Sequence, residues 1–215
     1  MSSGSVRKAA LVAMLMAGAG QAQAFQKPEK LSKAERAAAL LTSQQVAARV
    51  KITGTSELDP VMWISTEPFL EHRYATDKFW RAMINKETGA VTYQVYFKLQ
   101  TPRSQRLSKL TYAIGGRLQS IPLTRIHFDV SCHRYGCTHY EDFIGEFPKE
   151  HVEEMANAAN STDTSVTVKV FGDLVTGEET AFFRTELAGL LIATEARAAE
   201  YVQPAHSGDA APAPE

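Results

Sequence analysis

The chain has 215 residues, with 23 Lys and Arg against 24 Asp and Glu, a formal charge of −1 and 44% hydrophobic residues. So even a balance, with no basic run longer than a pair, argues against a nucleic-acid binder or a protein held on an anionic membrane. The apolar content is that of a globular protein, and after residue 24 no stretch approaches the 18 or so apolar residues of a membrane-spanning helix.

The N-terminus reads as an export signal. Arg7 and Lys8 give a positive start, residues 9–19 form an apolar run, and Ala22-Gln23-Ala24 places small residues where a signal peptidase reads. The run is too short to cross roughly 30 Å of hydrocarbon as a helix. No Cys adjoins the cleavage position, which argues against a lipid anchor. Residues 1–24 are therefore expected to be a signal peptide, leaving 191 residues with 21 Lys and Arg against 24 Asp and Glu, a formal charge of −3. That length suits one well-cored domain, assigned to residues 25–202.

Ser32 and Glu35 have the spacing of a capping box and predict an Ala-rich helix to about Thr42. Val46, Ala48, Val50 and Ile52 then alternate with Gln45, Ala47, Arg49 and Lys51, which reads as a strand ended by Gly54. Residues 61–65 are a short strand between Pro60 and Pro68. Residues 79–84 and 91–100 flank the turn-rich 85–89 and predict a hairpin. In its second strand Val91, Tyr93, Val95, Phe97 and Leu99 share one face, and Thr92, Gln94, Tyr96, Lys98 and Gln100 the other, the mark of an antiparallel sheet buried on one side. Residues 107–114 form a further strand stopped by Gly115-Gly116. Residues 125–132 and 137–147 predict a second hairpin, and Pro148 opens a helix to about Ala159. Val166, Val168 and Val170 alternate in another strand. A loop with Gly172, Asp173 and Gly177 leads to residues 181–184, and Thr185 is expected to N-cap a last helix carrying Leu187, Leu190, Leu191 and Thr194. Residues 203–215 are Pro/Ala-rich without periodicity and read as a disordered tail. The sum is an α+β fold: an antiparallel sheet of hairpins, packed by two or three helices.

The two cysteines, Cys132 and Cys137, bracket His133-Arg134-Tyr135-Gly136. With those four residues as the hairpin loop the cysteines face each other, at about the 4.5–5.5 Å Cα separation of paired residues. A disulfide accepts that distance, and outside the cytoplasm it forms and persists. A staple on the turn is the first reading. A zinc site using Cys132, His133, Cys137 and His139 is the alternative, since two thiolates and two imidazoles suit tetrahedral Zn²⁺. Thiol redox chemistry fits less well, because Cys-x₄-Cys lacks the redox spacing and no helix start follows Cys132.

The same register sets His127 opposite Asp142, Asp129 opposite Tyr140 and Phe128 opposite Glu141. A His–Asp pair can orient a general base, but cross-strand polar pairs also serve stability alone, and no nucleophile elbow accompanies it. The reading therefore leans away from an enzyme and assigns no catalytic residue. Trp63, Trp80 and Tyr96 are candidates for lining a ligand pocket, against the more ordinary roles of core and sheet-face packing. Asn160-Ser161-Thr162 has the pattern of a glycosylation acceptor, relevant in a eukaryotic secretory route.

Two stretches, residues 85–96 and the run from Cys132 through Cys137-Thr138-His139-Tyr140-Glu141-Asp142 to Phe147-Pro148, together resemble small exported proteobacterial cell-envelope proteins with a Cys pair and an aromatic-acidic strand. That family has no known function, so the resemblance implies an envelope location and no activity, cofactor or site residue. The expectation is a soluble exported protein, periplasmic or secreted. It binds a protein or small ligand of the envelope through the hairpin tip His133, Arg134 and Tyr135, because loops on rigid scaffolds commonly carry binding. The alternative is a metal-binding or hydrolytic protein built on the Cys132–His139 hairpin and its neighbouring His and Asp.

Overall fold

A computed structural model describes residues 40–66, 77–157 and 164–201. The expected signal peptide, the capping box at Ser32, the sequon and the C-terminal tail lie outside them.

In chain order the elements are helix α1 (Ser43–Ala47), strands β1 (Lys51–Thr53), β2 (Val61–Ser65), β3 (Asp77–Asn85), β4 (Val91–Thr101), β5 (Leu107–Ile114), β6 (Arg117–Pro122), β7 (Thr124–His133) and β8 (Gly136–Phe147), helix α2 (Lys149–Asn157), strands β9 (Ser165–Gly172) and β10 (Thr176–Phe183), and helix α3 (Arg184–Ala198). All pairings are antiparallel, in a six-stranded sheet ordered β1-β2-β3-β4-β8-β7 and a four-stranded sheet ordered β10-β9-β5-β6. Strand dominates and the helices are few and short, so the α+β expectation holds in outline with more sheet than expected.

The alternation read from β4 is what builds the core. Tyr93, Val95, Phe97 and Leu99 are buried on the inner face of the larger sheet, beside Trp80, Ala82 and Ile84 of β3 and Phe143 and Phe147 of β8. The smaller sheet answers with Leu110, Tyr112, Val166, Val168, Val170 and Phe182. Aromatic edges knit the layers: Trp80 meets Phe147 at 4.7 Å and Phe182 at 5.2 Å, both edge-on. Helix α3 buries Leu187 and Leu190 and lies against β2, β3 and β10, and α2 buries Val152 and Met155 and lies against β4 and β5.

Three expectations are corrected. Residues 45–47, read as the start of a strand, belong to helix α1, and the strand shrinks to Lys51–Thr53. The reason is local: Thr42, expected near a helix end, instead starts one, its Oγ1 accepting from Gln45 N at 3.3 Å while Gln45 Oε1 accepts from Thr42 N at 2.9 Å. Val46 then packs on Gly189 of α3, where a Cβ would lie 2.5 Å from Val46 Cβ. The second correction is β6, which was not expected. Gly115 and Gly116, read as a stop, have φ of 54° and 73° and form the two-residue turn of a hairpin. Thirdly, α3 begins at Arg184 after Phe183, with no side-chain cap from Thr185. Strand β10 stays paired through Phe183–Ser165 and Arg184 N–H donates to Thr164 O at 2.9 Å, so the chain passes from ladder to helix directly.

Candidate functional site

The outer face of the larger sheet carries the other half of each alternation, and it is not uniformly polar. Lys51 and Thr53 of β1, Trp63 and Ser65 of β2, Phe79 and Arg81 of β3, and Tyr96 and Lys98 of β4 line a groove of about 310 Å³. The pairings that assemble it are Lys51–Ser65, Ser65–Arg81, Phe79–Tyr96 and Thr53–Trp63.

Arg81 is its centre. The guanidinium carbon lies 4.4 Å from the Trp63 ring centroid and 4.8 Å from that of Tyr96, so the cation rests on two aromatic faces. Nε donates to Gln94 Oε1 at 2.8 Å, and the Gln94 amide donates onward to Glu146 Oε1 at 2.9 Å, which fixes the fork. Burial pushes the Arg81 pKa down from its ordinary value, opposed by Tyr96 and Asp142. Phe79 stacks on Tyr96 with centroids 4.7 Å apart and planes 14° apart, and Tyr96 Oη donates to Asp142 Oδ2 at 2.6 Å. The lining thus combines three cationic side chains with three aromatic rings and no carboxylate among the described residues. Such a surface is suited to an anion with a flat or apolar body.

Of the aromatics singled out in the sequence, Trp63 and Tyr96 line this groove, whereas Trp80 is fully buried in the core. Arg81 and Phe79 went unnoticed. Their only sequence signal is alternation along β3, since the groove draws on four strands whose pairing periodicity alone does not reveal.

At the other end of the sheet the predicted hairpin forms in the expected register: Cys132 faces Cys137, and His127, Phe128 and Asp129 face Asp142, Glu141 and Tyr140. The loop is shorter than expected, because His133 and Gly136 pair and leave Arg134-Tyr135 as the turn, with Gly136 at φ 139°. Cys132 and Cys137 form a disulfide with Cα atoms 4.0 Å apart. In that state neither sulfur is a thiolate, and the set Cys132, His133, Cys137 and His139 lacks its two soft donors. Among the described residues no group of three or more His, Cys, Asp or Glu is arranged to hold a metal ion.

The tip is open. Tyr135 is 86% exposed, the Arg134 guanidinium carbon lies 4.6 Å from the Tyr135 ring centroid, and His133 Nε2 is 3.3 Å from Ser131 Oγ. Asp142 is held by Tyr96, and no His127–Asp142 hydrogen bond forms. No family model, no curated protein and no solved structure matches this chain.

Proposed function

We propose that this chain is an exported, non-enzymatic binding protein of the cell envelope, and that its ligand is a small organic anion held in the outer-face groove. The leader-like residues 1–24, the disulfide and the resemblance to envelope proteins support the export half of this reading. One observation carries the ligand half: Arg81, stacked on Trp63 and Tyr96 and oriented through Gln94, stands in a groove with Lys51 and Lys98, whose described lining residues include no carboxylate. A carboxylate of the ligand would take the fork, and its body would lie along Trp63 and Phe79.

Calorimetric titration with benzoate, phenyl phosphate and succinate tests the reading. The aromatic anions are expected to bind more tightly than succinate, and Arg81→Gln to weaken them about tenfold or more, the loss of a charge-assisted pair. No binding by any of the three, or binding indifferent to Arg81→Gln, would defeat it.

A second reading keeps the hairpin tip, His133, Arg134 and Tyr135, as a contact for a protein partner. Its support is a largely exposed aromatic ring on a stapled turn. The zinc alternative requires reduced cysteines, so intact mass, thiol titration and metal analysis of the native protein decide it; a hydrolase without thiol ligands is tested by activity screening.

A further inference from the structure

Among the described residues, strand β7 is an open edge of the larger sheet, opposite to β1. Every residue of it except Ser131 is exposed, including Ile126 at 46%, Phe128 at 46% and Val130 at 38%. The cause is a mismatch between the layers. The smaller sheet ends at β6, which lies against β8, so β7 overhangs with little beneath it.

The direction of its backbone groups follows from the turn. His133 and Gly136 close a two-residue loop and form a hydrogen-bonded pair, after which pairs alternate along the hairpin. Cys132, Val130 and Phe128 therefore fall in the other class, with N–H and C=O aimed away from β8. Val130 bears this out: its N–H is met by its neighbour's carboxylate, Asp129 Oδ1, at 2.8 Å. Edge strands that stay alone are usually short, broken or charged inward. This one is irregular only between Arg125 and His127 and otherwise runs unbroken to the tip.

We propose that β7 pairs antiparallel with β7 of a second copy about a two-fold axis at Phe128, so that the larger sheet continues from one copy into the next. The sequence Ile126-His127-Phe128-Asp129-Val130 is complementary to itself in that register. Phe128 lies opposite Phe128 and His127 opposite Asp129, the latter pair occurring twice by symmetry, and Ile126, at the irregularity that ends the regular ladder, comes across from Val130. Because Phe128 points its backbone outward, pairing centred on it forms reciprocal hydrogen bonds. Centring on Asp129 sets two carboxylates face to face and aims the wrong backbone groups, and centring on Val130 sets His127 against His133. The Asp129 carboxylate that covers the Val130 amide in the single chain turns to His127 of the second copy.

Sedimentation equilibrium on the full exported chain tests this. A concentration-dependent dimer is expected. Val130→Pro removes an outward amide without touching the β7–β8 ladder and abolishes the dimer, with the circular dichroism spectrum and the disulfide unchanged. Asp129→His raises the dimer dissociation constant about tenfold, and adding His127→Asp to that variant restores it, because the pairs are exchanged rather than lost. Leu118→Ser, at an exposed site on β6, leaves the dimer intact. A monomer at every concentration, a dimer indifferent to Asp129→His, or a dimer lost on Leu118→Ser would each overturn the proposal.

Discussion

Two buried glutamates show how differently one fold treats the same side chain. Glu141 of β8 is 0% exposed and Glu186 in the first turn of α3 is 1% exposed. Glu141 Oε1 accepts from Ser104 Oγ at 2.8 Å and Arg125 Nη1 at 3.1 Å, while Oε2 accepts from Gln105 N at 2.6 Å. Both oxygens are met, and one partner is a cation. Glu186 Oε1 accepts from Thr66 Oγ1 at 2.5 Å and from Trp80 N at 3.4 Å, but Oε2 is buried with no partner among the described residues. Burial raises the Glu186 pKa from 4.5 to about 7, against the bonds from Thr66 and Trp80 and the charge of Lys78, with Asp77 adding to the rise. Glu141 has donors on both oxygens, whereas the half-satisfied Glu186 is pressed toward its acid form by burial.

The largest expected effect comes from breaking the satisfied site. Glu141→Ala strands the Gln105 amide and removes the tie between β8 and the crossover from β4 to β5, at a cost of about 3–5 kcal/mol in urea unfolding. A loss below about 1 kcal/mol would mean the two sites are energetically alike after all.

Next comes the pH dependence of the unsatisfied one. Since the folded pKa of Glu186 lies above the unfolded value, the native state holds the extra proton between pH 4.5 and about 7. This contribution to stability is full below pH 4.5, falls as pH rises toward 7 and is gone above it, a change on the order of 3 kcal/mol. Glu186→Gln keeps the shape and removes the titration, so its stability measured at pH 5 and pH 8 should differ less than that of the parent chain. Equal pH dependence in both would show that Glu186 is already ionised in the folded state.

The smallest effect belongs to the staple on the hairpin that carries Glu141. Replacing both cysteines, Cys132→Ser with Cys137→Ser, is expected to cost about 2 kcal/mol because the closed loop is short. If the loss equalled that of Glu141→Ala, the disulfide rather than the carboxylate would be what orders this hairpin.

Much of the sheet is legible in the sequence. The faces of β4 follow from strict alternation, and the β7–β8 register follows from the Cys pair across a short turn. Legibility fails where a local signal has two meanings. Gly115-Gly116 serves equally as a stop and as a turn, and the Ala-rich stretch around Val46 fits both a strand and the helix that Thr42 starts. Of the groove, Trp63 and Tyr96 were visible as aromatics, but Arg81 looked like any outward-facing arginine. No local pattern sets Glu141 and Glu186 apart from the other acidic residues.

Periods and pairings of near neighbours follow from the order of residues alone: which side chains of a strand share a face, and which residues of a hairpin meet. Those depend only on backbone geometry and a few intervening residues. The tertiary structure alone decided what covers each face. The smaller sheet stops short of β7 and leaves its edge uncovered by the described residues, β1 to β4 bring Lys51, Trp63, Arg81 and Tyr96 to one groove, and α3 carries Glu186 inward to Thr66. Burial is a property of the assembled layers, with partners more than a hundred residues apart in the case of Glu186 and Thr66, and no local pattern encodes it.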